Sequence, residues 1–226
     1  MEEFSNKIVV KVEISTLCDE RGRFIPDKME RLVMVLSNLQ NSGKKLLIVS
    51  SGAIALGSAK MELKMIPEQL IDKQATAAIG QAELIKVYQR FFEDYGQVVA
   101  QILITSDVVN VTARKHNAAN TLNTLLGMNI IPIINENDTV STDDIELDDN
   151  YPLVVNVAKI VEAHVILVKS HEFGKYLIIP GDRRMGNVEV KEENLVTYLT
   201  RVGENVSSKK VEECNFPSTF KELNFY

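Results

Sequence analysis

A run of apolar residues from Ile130 to Ile134 stops at Asn135, and the chain continues Asn135, Glu136, Asn137, Asp138. More acids follow at Asp143, Asp144, Glu146, Asp148 and Asp149, and no Lys or Arg occurs between Lys115 and Lys159. Asn and Asp together can hold an α-amino group and a carboxylate, because they offer amide donors beside neutral and charged acceptors. A solvated acidic turn would have a similar composition. Its place directly after a buried strand favours a ligand contact at Asn135 and Asp138. The acids from Asp143 to Asp149 read as a solvated flap, since nothing in the sequence fixes their geometry, and no metal site is expected.

Two further features could do chemistry. Lys11 interrupts the otherwise apolar stretch KIVVKVEI, residues 7–14. An unpaired buried lysine is costly, so this one must reach an anion or solvent at the strand end. An edge lysine reaching outward is the plain alternative. Ser50, Ser51 and Gly52 close a second apolar run, KLLIVS (45–50), where a helix begins. Backbone amides at a helix start attract anions, although a plain capped turn would look the same. Gly52 and Gly57 have the separation of a P-loop, but Ser58 stands where that motif needs lysine, so the motif is rejected.

The elements that must position these residues follow a simple rhythm. Apolar runs at 7–14, 45–50, 98–105, 130–135 and 164–170 read as strands. Helical patterns separate them at 27–43, about 72–95, 113–129 and 154–163. The first helix is expected to be capped by Asp27 and ended by Gly43. Strands that are apolar throughout and alternate with helices predict an α/β fold. Its sheet is doubly wound, mainly parallel and covered on both faces, giving an αβα sandwich. Ligands in such sheets lie outside the carboxyl ends of the strands, where Asn135 to Asp138 fall. Beyond about residue 180 the rhythm fades.

The totals narrow the function. The chain has 226 residues, with Lys+Arg 25 against Asp+Glu 31 and a net charge of −6. That length suits a single domain over residues 1–226, with 181–226 its divergent end. The acidic balance argues against nucleic acid as a partner. No apolar run reaches bilayer length and no signal peptide is visible, so a cytoplasmic protein without a membrane partner is expected. Cys18 and Cys214 suit a reducing compartment and lack metal-site spacing, and His116, His164 and His171 are scattered.

In order along the chain, VVKV, IVSSGAIALG, KQATAAIGQAELI, HNAANTL and IIPIINENDTVSTDDIE resemble the amino acid kinase family over about residues 7–163. The last segment is similar to the branch that phosphorylates the γ-carboxylate of L-glutamate in proline biosynthesis. The resemblance implies glutamate and Mg-ATP side by side above the strand ends. It implies that Lys11 holds the phosphates. Ser51, Asp138 and Asn150 would bind glutamate, with Asn135 in support, and Gly52 would bring backbone amides to the transferring phosphoryl group. It further implies a homo-oligomer, or a hetero-oligomer with an intact kinase, and proline as a candidate inhibitor.

The departures fall on the nucleotide half. After its lysine the family has Gly and then Ser or Thr, where this chain has Glu13 and Ile14, followed by Ser15 and Thr16. Tyr151 stands where the family has an Asp that organises the catalytic lysines. The family's nucleotide motif aligns with SHEFGKYLIIP, residues 170–180, which makes Ser170, Gly174 and Tyr176 the nucleotide candidates. The motif's acids have become His171, Phe173 and Ile179. Lys209 is the nearest equivalent of a second phosphate-binding lysine, and Glu13 turned toward Lys209 would offset its own charge. No C-terminal RNA-binding-like domain, common in bacterial members, is expected to follow. Two readings come out of this. One is an ATP-dependent kinase of glutamate with impaired activity. The other is an inactive paralogue that binds glutamate or proline and regulates a partner.

Overall fold

The structure is a computed structural model that describes residues 6–19, 24–140, 150–172, 174–181 and 186–199. Its strands are β1 (Lys7–Val12), β2 (Lys45–Ser50), β3 (Val99–Ile104), β4 (Ile131–Glu136), β5 (Val165–Lys169), β6 (Lys175–Pro180) and β7 (Val188–Lys191). Its helices are α1 (Pro26–Asn41), α2 (Ala53–Lys60), α3 (Leu70–Glu93), α4 (Thr112–Gly127) and α5 (Tyr151–Val161). Among the described residues the strands form one sheet in the order β3-β4-β2-β1-β5-β6-β7. The pairings among β1 to β5 are parallel, and β6 and β7 pair antiparallel. No helix among the described residues is long and apolar enough to cross a membrane.

Alternation along the strands divides the core in two. Ile8, Val10 and Val12 of β1 pack with Leu46, Ile48 and Leu167 against α1 and α3. Val9 packs with Leu47, Val49, Ile134 and Ile166 against α4 and α5 on the other face. The steps from β1 to β2 and on to β3 run toward one edge, with α1 and α3 on one face. The steps from β3 to β4 and on to β5 run back, with α4 and α5 on the other. A right-handed crossover that reverses direction must change faces. The reversal leaves β2 and β4 as neighbours whose following helices depart on opposite sides, which opens a crevice at their carboxyl ends.

Local detail differs from expectation in four places. Ile25 precedes α1 as its N-cap residue, Pro26 opens the helix, and Asp27 lies in the first turn. Proline suits that position because its missing N–H would be unpaired there anyway. Strand β3 is only partly covered, with Leu103 39% exposed, because it is the edge strand of the sheet. Helix α5 begins at Tyr151 rather than 154. Finally, KYLIIP forms β6, which turns back along β5, and β7 continues the sheet past the point where the sequence rhythm fades.

Helices α2 and α3 cross in backbone contact. A Cβ on Gly80 would lie 1.6 Å from the Ala53 carbonyl oxygen, and one on Gly57 would lie 2.1 Å from that of Thr76. This crossing holds the start of α2, and with it the turn at Ser51 and Gly52. Gly80→Ala is expected to lower unfolding stability by about 1–3 kcal/mol through overpacking. Gly127→Ala, where an added Cβ meets nothing within 4 Å, is expected to leave it unchanged or raised. Urea midpoints of the two variants check this, and equal midpoints would contradict it.

Candidate functional site

The crevice between β2 and β4 is closed by a small amide network. Asn150 is the N-cap residue of α5. Its Nδ2 donates to Asn135 Oδ1 at 3.0 Å and to the Ser50 carbonyl at 3.2 Å. Asn135 Oδ1 also accepts from the Glu136 amide at 2.9 Å. From α3, the Tyr88 hydroxyl donates to Ser50 Oγ at 3.0 Å, and burial pushes its pKa well above the usual tyrosine value. The Ser51 amide donates to the Val12 carbonyl at 3.1 Å, which ties the turn after β2 to the end of β1. With both Nδ2 protons spent, the Asn150 side chain is left with its carbonyl oxygen as an acceptor.

Asp138 lies two residues past β4. Burial, and secondly the charge of Glu136, push its pKa up to about 6. Gln81 Nε2 donates to the Glu136 carbonyl at 3.3 Å and holds this strand end to α3. The Asn137 amide donates to the Ile104 carbonyl at 3.0 Å. A cationic group, such as an α-ammonium, would relieve both the burial and the repulsion at Asp138.

At the end of β1, Lys11 is 2% exposed and ion-paired with Glu13. The second Glu13 oxygen lies 3.3 Å from His171 Nε2. Gly52 has φ +101, and a Cβ there would lie 2.1 Å from Ile14 Cγ2. Glycine is therefore required at this turn for both conformation and space. Ile14 packs directly on it.

The structure thus gathers Lys11, Ser51, Gly52, Asn135, Asp138 and Asn150 at the carboxyl ends of β1, β2 and β4. Ser170 and Gly174 lie in the adjoining β5–β6 turn, where Ser170 Oγ accepts from the Glu172 amide at 3.1 Å and Gly174 has φ +69. Tyr176 stands apart, wholly buried in the core on the α1 face. Tyr151 is likewise wholly buried, in the opposite core. Lys209, Phe173 and the acids from Asp143 to Asp149 lie outside the described residues. Sequence reading missed Tyr88, whose helical spacing with Phe92 marks it only as core. It also missed the pairing of Glu13 with Lys11 and His171. The two-residue spacing of Lys11 and Glu13 on an extended segment was the available signal for the first of these contacts.

A model of the amino acid kinase family matches residues 6–171. The chain belongs to the amino acid kinase family. Among relatives, glutamate 5-kinase of Listeria monocytogenes serotype 4b (strain CLIP80459) is 44% identical over 176 residues, covering 76% of this chain and 64% of that protein. Glutamate 5-kinase of Thermoanaerobacter sp. (strain X514) is 42% identical over 170 residues, covering 75% of this chain and 46% of that protein. This member of the family therefore spans less than two thirds of the length of these curated relatives. A crystal structure of UMP kinase from Bacillus anthracis aligns with TM-score 0.49 at 14% identity, over 73% of this chain and 64% of that one.

The raised Asp138 pKa has a measurable consequence. The folded state holds this proton more tightly than the unfolded chain does, so stability is lost as pH rises from about 4, the unfolded aspartate value, through about 6. Asp138→Asn removes the charge. The variant is expected to be more stable than the parent at pH 7 and equal to it at pH 3.5. Denaturant titrations at both pH values check this, and a gain of equal size at both would contradict it.

Proposed function

We propose that this family member is of the glutamate 5-kinase type. It binds L-glutamate through Ser51, Asp138 and Asn150 and presents the γ-carboxylate to Lys11 and the Gly52 turn, where phosphorylation by Mg-ATP would give glutamyl 5-phosphate. The observation that supports this most is the Asn135–Asn150–Ser50 network beside Asp138, in a chain 44% identical to a glutamate 5-kinase. Asp138 offers a carboxylate to the α-ammonium. Ser51 offers a hydroxyl and Asn150 an amide carbonyl.

ATP, when bound, supplies the phosphoryl group. As they stand, the described residues do not fit a polyphosphate. The Lys11 ammonium is taken by Glu13, Ile14 fills the space over Gly52, and Tyr176 is packed away from the strand ends. A carboxylate about 4 Å from a phosphate oxygen costs about 4 kcal/mol at an effective dielectric of about 20. That corresponds to roughly a thousandfold in rate or binding. The Lys11–Glu13 pair therefore favours a second reading, in which the chain binds glutamate or proline and regulates a partner, with little turnover of its own.

Calorimetry with L-glutamate is expected to give heat in the parent and none in Asp138→Ala. Trapping of the acyl phosphate as its hydroxamate is expected to give little product in the parent and at least about tenfold more in Glu13→Gly. Parent turnover that is robust and abolished by Lys11→Met would show that Glu13 yields to the nucleotide, and would favour the enzyme over the regulator. Absence of heat in the parent with both L-glutamate and proline would sink both readings.

A further inference from the structure

Strand β1 runs to Val12, and Glu13 continues it in an extended conformation, with φ −91 and ψ 128. Alternation therefore puts Lys11 and Glu13 on the same side of the chain. The register with β5 decides what lies beside them. Lys11 pairs with Val168, so Glu13, two residues on, comes level with Ser170 and the start of the β5–β6 turn. His171 follows Ser170, and its Nε2 lies 3.3 Å from the Glu13 oxygen that does not meet Lys11. A carboxylate only accepts, so the imidazole N–H is the donor. The carboxylate is thus held at both oxygens, by Lys11 on the buried side and by the largely exposed His171 on the solvent side.

Both anchors of this contact are themselves fixed. The Glu13 carbonyl accepts from the Thr16 amide at 3.0 Å and from Thr16 Oγ1 at 2.6 Å, which holds the backbone behind the carboxylate. In the turn that carries His171, the Ser170 amide donates to the Lys175 carbonyl at 3.1 Å and the Glu172 amide to Ser170 Oγ at 3.1 Å. Charge acts in the same direction. His171 also lines a cleft beside α1, together with Lys28, Arg31 and Lys169 and the Glu192 carboxylate. That excess of cations attracts a carboxylate lying against His171. Lys11, for its part, is buried and needs an anion close by.

We propose that His171 is a positioning residue that holds the Glu13 carboxylate on Lys11. Glu13 and His171 together form a latch that withholds the Lys11 ammonium from a ligand. An anion arriving at Lys11 must then break both contacts of the carboxylate rather than the ion pair alone. The consequence for phosphoryl transfer rests on the proposed role of Lys11 at the phosphoryl group. The latch itself does not.

The test reads Lys11 directly. The full chain is pulsed with acetic anhydride, and acetylation of Lys11 is measured by peptide mass spectrometry relative to Lys86, whose side chain is 65% exposed. Little modification of Lys11 is expected in the parent. It is expected to rise at least about tenfold in Glu13→Met, which loses the ion pair, and about fivefold in His171→Ala, which loses one hydrogen bond. His171→Gln keeps an amide donor and is expected to stay near the parent. Adding His171→Ala to Glu13→Met is expected to change nothing further, because the histidine acts only through the carboxylate. A rise of equal size in both backgrounds would mean a general loosening of the turn and would overturn the proposal. So would a Lys11 as protected in His171→Ala as in the parent. Hydroxamate trapping on the same variants separates this proposal from the kinase reading. Product that rises with Lys11 modification supports both. The expected modification pattern without product in any variant, Glu13→Gly included, supports the latch and counts against the kinase.

Discussion

Both amide protons of Asn150 cross the crevice, one to Asn135 on β4 and one to Ser50 on β2. The two strands share only the register pairs Ile48–Ile133 and Val49–Ile134. Past those pairs the direct link between the two strand ends is this amide. A buried polar group left unpaired costs about 1–3 kcal/mol, so the members of this network hold one another in place. The network reaches α3 through Tyr88 and Ser50, and it reaches the start of α5 through Asn150 itself. Helix α3 in turn grips α2 through Gly80 and Gly57, and α2 begins at the Gly52 turn. One amide thus joins the strand ends that carry Ser51 and Asp138.

Charge is arranged unevenly around this frame. On the β4 side, Asp138 and Glu136 repel each other and leave a carboxyl that a cation would stabilise. On the β1 side, Lys11 already has its anion in Glu13. A zwitterion with its ammonium at Asp138 meets an open partner. A phosphate arriving at Lys11 must first displace a carboxylate. The half proposed to hold glutamate is therefore open to a cation and the half proposed to hold phosphate is self-satisfied, a difference of electrostatics within a single fold. In the adjoining cleft beside α1 the imbalance has the opposite sign, with Lys28, Arg31 and Lys169 facing the Glu192 carboxylate.

Much of the scaffold was legible in the chain. Hydrophobic periodicity is a local signal, and it located β1 to β5 and the helices between them because each buries its own residues against the sheet. The polar stop at Asn135, the lysine within β1 and the Ser51–Gly52 turn marked the candidate site for the same reason. Each is a local exception to a local pattern. Pairings between distant residues left no such trace. Tyr88 and Ser50 are 38 residues apart, and Asn150 and Ser50 are 100 apart. Their contacts follow from the strand order, which places β4 beside β2 only through the reversal of crossover direction. Tyr151 looked like a replaced site residue, yet helix phase turns it into the core. Lys28 and Lys169 carry no shared motif and meet only because β5 lies next to β1 and α1 packs over both. Residue types and their periodicity were thus settled by the sequence alone. Which charges face each other was decided by tertiary structure, because Coulomb and hydrogen-bond partners depend on distance in space, not on separation along the chain.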